Sequence, residues 1–129
     1  MAGCIRLLRE KGMSIPGVRV HVESGIPMGT GLSSSAALEV ATLRALRLLL
    51  GLDLDDRTLA LVAQQAEIRY AGVNCGVMDQ MASNLADRTQ MLFLDARTLA
   101  TRLLAMPGGC ELLAIWRRPV VSRPCSSVH

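Results

Sequence analysis

Gly29-Thr30-Gly31-Leu32-Ser33-Ser34-Ser35-Ala36-Ala37 decides how this 129-residue chain is read. Glycine has no Cβ and tolerates positive φ, so such a turn lets backbone approach a ligand closely. The apolar run after Ser35 opens a helix. Its first turn presents unpaired N–H groups and the positive end of the helix dipole, which together suit an anion. The serine hydroxyls can cap that helix, bond phosphate oxygens or ligate a hard cation such as Mg2+. Taken alone, the stretch is read more plainly as a glycine turn with its N-cap. The lysine of a P-loop is missing, which argues against that class of nucleotide site.

Downstream, the run from about Ser34 to Leu50 has only Glu39, Thr42, Arg44 and Arg47 as polar members. A helix so apolar is expected to be largely buried, against a sheet. Gly51 is its stop, and Asp55 or Asp56 is positioned to cap a second helix over about Arg57–Ala71. Leu59, Val62, Ala66 and Tyr70 mark the apolar face of that helix. Glu67 lies near its C-terminal end, where the dipole disfavours a carboxylate. Either a specific partner or simple surface exposure accounts for it. Gly72–Gly76 reads as a loop, and Val77–Ala86 as a short helix around Asp79. Met78 and Met81 are read there as packing residues.

Upstream, Val18–Ser24 alternates apolar and polar residues as a half-buried strand should, with His21 on the solvated face. Met1–Lys11 has a weak helical pattern stopped by Gly12, and reads as the end of a helix that starts earlier. Gln90–Asp95 and Thr98–Leu104 read as strands joined near Asp95-Ala96-Arg97, and Leu112–Trp116 as a further buried strand. The sum is an α/β (α+β) domain, with helices packed on a mixed or mainly antiparallel sheet.

Composition excludes several classes. Half of the residues are hydrophobic, so the chain has material for a core. Tyr70, Phe93 and Trp116 are its only aromatics, too few for a base-stacking platform. The net charge of +3 comes from Arg117, Arg118 and Arg123; the remaining eleven basic side chains balance the eleven acidic ones. Neither a nucleic-acid nor a membrane footprint follows from that balance. Cys4, Cys75, Cys110 and Cys125 form no C-x-x-C pair, and the histidines are only His21 and His129, so no zinc spacing exists. With no secretory leader in the sequence, reduced thiols and a cytoplasmic location are expected.

The glycine–serine turn, Gln65-Ala66-Glu67 and Gly72-Val73-Asn74-Cys75-Gly76-Val77-Met78-Asp79-Gln80 together resemble the GHMP kinase superfamily, its galactokinase branch most closely. The resemblance runs over about Val18–Leu104, extends back towards Met1, and implies a two-domain α/β kinase with its active site between the domains. It implies that Gly29, Thr30, Gly31, Leu32, Ser33, Ser34 and Ser35 wrap the phosphates of ATP, the co-substrate. It further implies that Ser35 and Glu67 hold Mg2+, that Asp79 is the catalytic base, and that Gly76 and Asp79 contact the sugar. The implied activity is phosphorylation of galactose at C1, with N-acetylgalactosamine and arabinose as other acceptors. A non-catalytic sugar- and nucleotide-binding relative and a non-functional remnant are the alternative readings. The implied partners are small molecules, and the parent enzyme is expected to be monomeric.

The sequence also departs from the superfamily. The motif resembling Gly-Arg-x-Asn-Leu-Ile-Gly-Glu-His and the later glycine-rich motif do not occur in it. Residues 1–115 are therefore read as a partial N-terminal domain that alone does not phosphorylate galactose. From Trp116 to His129 there is no acidic residue and no helical or strand period. That tail is read as foreign to the family, disordered or produced by a shifted frame or truncated gene model.

Overall fold

The computed structural model describes residues 1–27, 29 and 31–108. Thr30, Cys110, Cys125, the strand expected at Leu112–Trp116 and the tail from Trp116 lie outside the described residues. Among the described residues, four helices, α1 (Ala2–Glu10), α2 (Ser34–Leu50), α3 (Asp56–Ala66) and α4 (Met78–Leu85), precede a two-stranded antiparallel sheet of β1 (Gln90–Leu94) and β2 (Thr101–Ala105). α3 runs on into a wider π-helical turn over Glu67–Ala71. This is a partial α/β fold.

Local chemistry sets the helix ends. α2 stops at Gly51, whose φ of 61° is left-handed and costs glycine nothing. Asp55 caps α3 by accepting from the Thr58 N–H at 2.8 Å. Arg47 braces the connection between them, donating to the Leu54 carbonyl at 3.0 Å and to Asp56 Oδ1 at 2.7 Å. After α1, the Arg9 guanidinium donates twice to the Ile15 carbonyl and folds that segment back onto the core.

The core joins Cys4, Leu7 and Leu8 of α1 with Val40, Leu43 and Leu46 of α2 and Leu59, Val62, Ala63 and Ala66 of α3. As the aromatic count implies, none of its members is aromatic. Cys4 is a free thiol whose pKa burial pushes up to about 11, so it stays protonated. A smaller cluster of Ala60, Val77 and Met81 links α3 and α4 to Leu92 and Leu94 of β1. α1 is also clamped to the π turn from outside. Glu10 accepts from Arg69 Nη1 and Tyr70 Oη, each at 2.8 Å, while Gly3 sits where a Cβ would stand 2.7 Å from the Tyr70 ring.

Several expectations need correction. Val18–Ser24 forms no strand among the described residues, because a strand needs a neighbour to take its backbone hydrogen bonds and none lies beside it. His21 is solvated, as read. α2 packs on α3 and α4 rather than on the sheet, which sits against α4; the outer face of α2 leaves Leu48 81% and Leu49 70% exposed. Widening at Glu67 breaks the helical period, so Tyr70 turns partly to solvent and bonds Glu10 instead of joining the core. Met81 is buried, but Met78 on the first turn of α4 is exposed and packs little. The second strand starts at Thr101, since Asp95 ties the N–H groups of Arg97 and Thr98 into a turn and Leu99 adopts a φ of 56°.

Leu43 has no solvent exposure at the meeting of three helices. Leu43→Ala is expected to lower stability by about 2–5 kcal/mol through lost burial plus the cavity left behind. Urea denaturation of the two chains measures this; a loss below about 1 kcal/mol would show that the site collapses around the smaller side chain.

Candidate active site

Among the described residues, three left-handed ones shape the turn before α2: Gly29 at φ 72°, Gly31 at φ 78° and Ser33 at φ 52°. The two glycines take this conformation freely, whereas Ser33 is held there at a steric cost. Ser33 is the N-cap of α2, yet its side chain makes no capping bond. First-turn N–H groups of α2 are thereby left without a side-chain acceptor, at the positive end of a 17-residue helix. Such an end suits an anion. A cavity of about 510 Å3 flanks it, lined by Val22, Ile26, Ala37, Leu38 and Ala41, with Ser34 and Ser35 at one side.

Within that first turn, Ser35 Oγ donates to Glu67 Oε1 at 2.6 Å. Glu67 is only 8% exposed and stands where α3 widens into the π turn, a distortion often found at functional sites. Its other oxygen accepts from Gln80 Nε2 of α4 at 2.7 Å and from the Cys75 thiol at 3.6 Å. Burial first, and then the Glu67 carboxylate, raises the pKa of Cys75, so the thiol remains a donor rather than a nucleophile. Gln64 fixes the Cys75 loop by donating to its carbonyl at 3.0 Å. One buried carboxylate thus receives hydrogen bonds from α2, from the loop and from α4. The surface-exposed reading of Glu67 is set aside by this geometry.

Glu39 is the member that sequence reasoning passed over. It lies one turn after Ser35, on the same face of α2, and is 7% exposed. Its pKa is raised to about 7, by burial first and by the nearby Glu67 carboxylate second. Glu39 Oε2 and Gln80 Oε1 are both buried without a hydrogen-bond partner among the described residues. A buried carboxyl with an unpartnered oxygen suits the acid form, which carries a hydrogen and no charge. A sequence signal existed: Glu39 is the sole acid in α2, four residues after Ser35.

Asp79 occupies the first turn of α4, half-buried, next to the Gln80 that holds Glu67. Its carboxylate makes no hydrogen bond or ion pair among the described residues. Gly76 is exposed just before this helix, and Leu32 is exposed in the glycine–serine turn. The structure therefore joins Ser35 to Glu67 directly, sets Asp79 on the first turn of α4 next in sequence to Gln80, and leaves Gly76 exposed before that helix. Among the described residues no three acidic, cysteine or histidine side chains cluster as a complete metal site. No described helix is long and apolar enough to cross a membrane.

A glycine–serine turn feeding a helix whose second residue meets a buried acid defines the class, and the chain belongs to the GHMP kinase family. The family model described as GHMP kinases N terminal domain matches residues 1–86. Among solved structures, Lactococcus lactis galactokinase complexed with galactose is similar to this chain, with a TM-score of 0.71 and 30% sequence identity over 80% of it. The chain spans 27% of the length of that galactokinase.

Glu39 gives the fold a pH signature. Unfolded, a glutamate ionises near 4.5, so between there and about 7 the folded chain keeps a proton that the unfolded chain has released. The stability from Glu39 is complete below that window and is lost as pH rises through it, at about 1.4 kcal/mol per pH unit. Asp55, Asp87, Asp95 and Glu10 act oppositely: their lowered pKa values contribute stability that is lost on acidification. Thermal melting is expected to be highest near about pH 5 and to fall towards pH 8, with Glu39→Gln flattening the alkaline side. Equal alkaline slopes in the two chains would show that Glu39 ionises normally.

Proposed function

We propose that this chain carries the phosphate turn, the cation-holding pair and the base of an ATP-dependent galactose kinase. The observation that carries this reading is the Ser35–Glu67 contact at the head of α2, beside an uncapped helix N-terminus. The uncapped N–H groups and the left-handed turn from Gly29 to Ser35 suit the phosphates of ATP. Ser35 and Glu67 offer two adjacent hard oxygens. Mg2+ fits such a pair, since it commonly takes one or two protein oxygens and completes its shell with phosphates and water. Bound there, Mg2+ would neutralise charge on the transferred phosphoryl group.

Asp79 has a carboxylate with no competing partner among the described residues, and it lies on the rigid first turn of a helix. In this reading it accepts the proton of the sugar C1 hydroxyl. The sugar oxygen bonds the γ-phosphorus while the bond to the β-phosphate oxygen breaks, giving ADP and galactose 1-phosphate. Galactose as acceptor is supported by the likeness to a galactokinase complexed with galactose, to the extent of 30% identity. Gly76 is exposed, and open space around it leaves room for a sugar near Asp79.

Calorimetric titration with ATP, in the presence and absence of Mg2+, tests the nucleotide half. Ser35→Ala is expected to weaken Mg2+-dependent ATP binding about tenfold or more, with little effect on galactose binding. An unchanged Mg2+ dependence would remove Ser35 from the metal role. The sugar half is tested in an enzyme carrying these residues within a whole catalytic fold. There Asp79→Asn should cut turnover by about 10²–10⁴ while ATP affinity holds. Turnover within about tenfold of the parent would reject Asp79 as the base. Competition among galactose, N-acetylgalactosamine and arabinose identifies the acceptor.

A further inference from the structure

We propose that Val18–Ser24 is an open strand edge that takes a second copy of itself, two chains joining antiparallel about a twofold axis at His21. Neither nucleotide nor metal enters this contact. Residues 13–25 form no helix or turn, and among the described residues none of 16–25 shares a backbone–backbone hydrogen bond. Their N–H and C=O groups are a ladder with one side missing. The segment is nonetheless anchored. Ile15 is buried and its carbonyl takes both bonds from Arg9, while Val18 packs against the core. An edge already held in place loses little entropy when it pairs. From Arg19 to Ser24 every residue is exposed. His21 Nε2 lies 3.3 Å from Glu23 Oε1, two residues on, as side chains on one face of an extended backbone do. Val20 and Val22 then take the other face, and Val22 lines the cavity beside α2.

The order of the charges selects both the partner and its direction. Antiparallel pairing centred on His21 sets Arg19 opposite the partner's Glu23, and Glu23 opposite the partner's Arg19. On the other face Val20 meets the partner's Val22, so four valines cover one another. A parallel pair in the same register would set arginine on arginine and glutamate on glutamate, which is destabilising. Charges on an edge usually keep strands apart. Here their signs reverse about the central residue, and the twofold operation turns them into attractions. Among the described residues Arg19 forms no ion pair within its own chain, so it has no contact to give up. The later apolar run Leu112-Leu113-Ala114-Ile115-Trp116 has no charge to offer Arg19 or Glu23, and would set apolar side chains among them.

The test is sedimentation equilibrium of the 129-residue chain from about 1 μM to 1 mM, which spans weak and moderate dimers. A concentration-dependent monomer–dimer equilibrium is expected. Glu23→Arg and Arg19→Glu each set like charges opposite one another at both ends of the strand pair. Either variant alone should dimerise about tenfold more weakly, or worse. Mixed one to one, the two variants should form a heterodimer as tight as the parent dimer, because every cross-strand pair is again opposite in charge. Both positions are exposed, so the fold is undisturbed, and unchanged helical circular dichroism verifies it. In the 15N-labelled parent, alternate amides of Val18–Ser24 should exchange more slowly as concentration rises. A chain still monomeric at about 1 mM would overturn the proposal. So would slow exchange of these amides in the monomer, which would show that the chain covers its own edge. Oligomers indifferent to both charge reversals would place the contact elsewhere and overturn it equally.

Discussion

A carboxylate taken out of water has to be hydrogen-bonded, and here that requirement falls on Glu67. Ser35 comes from α2, Cys75 from the loop and Gln80 from α4, and all three point donors at the same two oxygens. Removing any one of these elements would take a donor from a buried carboxylate, at a cost that exceeds the value of an ordinary contact. The arrangement of α2, α3 and α4 is thus tied to a polar centre as well as to the Leu43, Leu59 and Val62 core. Apolar packing tolerates small shifts, whereas a hydrogen bond of 2.6 Å does not.

Much of the fold was legible because its signals are local. Gly51 ends α2 where a left-handed residue is needed, and Asp55 caps α3 from within its own turn. Fold class and family followed from the order of a few short motifs. What failed depended on neighbours. Val18–Ser24 has a strand pattern, but pairing is a property of two segments. The apolar run of α2 identified a buried helix, but the sheet expected to cover it sits against α4 instead, and part of the outer face of α2 meets solvent.

The candidate site divides along the same line. Ser35 and Glu67 were singled out through a family resemblance, and their contact spans 32 residues that no periodicity connects. The dipole argument correctly noted that Glu67 was badly placed for an exposed helix end, but could not choose between a partner and solvent. Gln80 was quoted only as part of a motif, and Glu39 only as one polar member of a helix. Both matter because three helices converge, and convergence is not written in any one segment. The π turn was equally hidden: its sequence, Glu67–Ala71, is unremarkable for an α-helix.

The π turn also has an outer neighbour. Tyr70 and Arg69 lean on Glu10, and the Tyr70 ring lies where Gly3 presents only hydrogen. Position 3 is 64 residues from the buried acid, yet it sets how closely α1 can approach the backbone that carries Glu67. Variation at this small residue would be transmitted mechanically, ring against helix, to a carboxylate it never touches. The side chain that α1 lacks at Gly3 is therefore what lets α1 lie against the turn that carries Glu67.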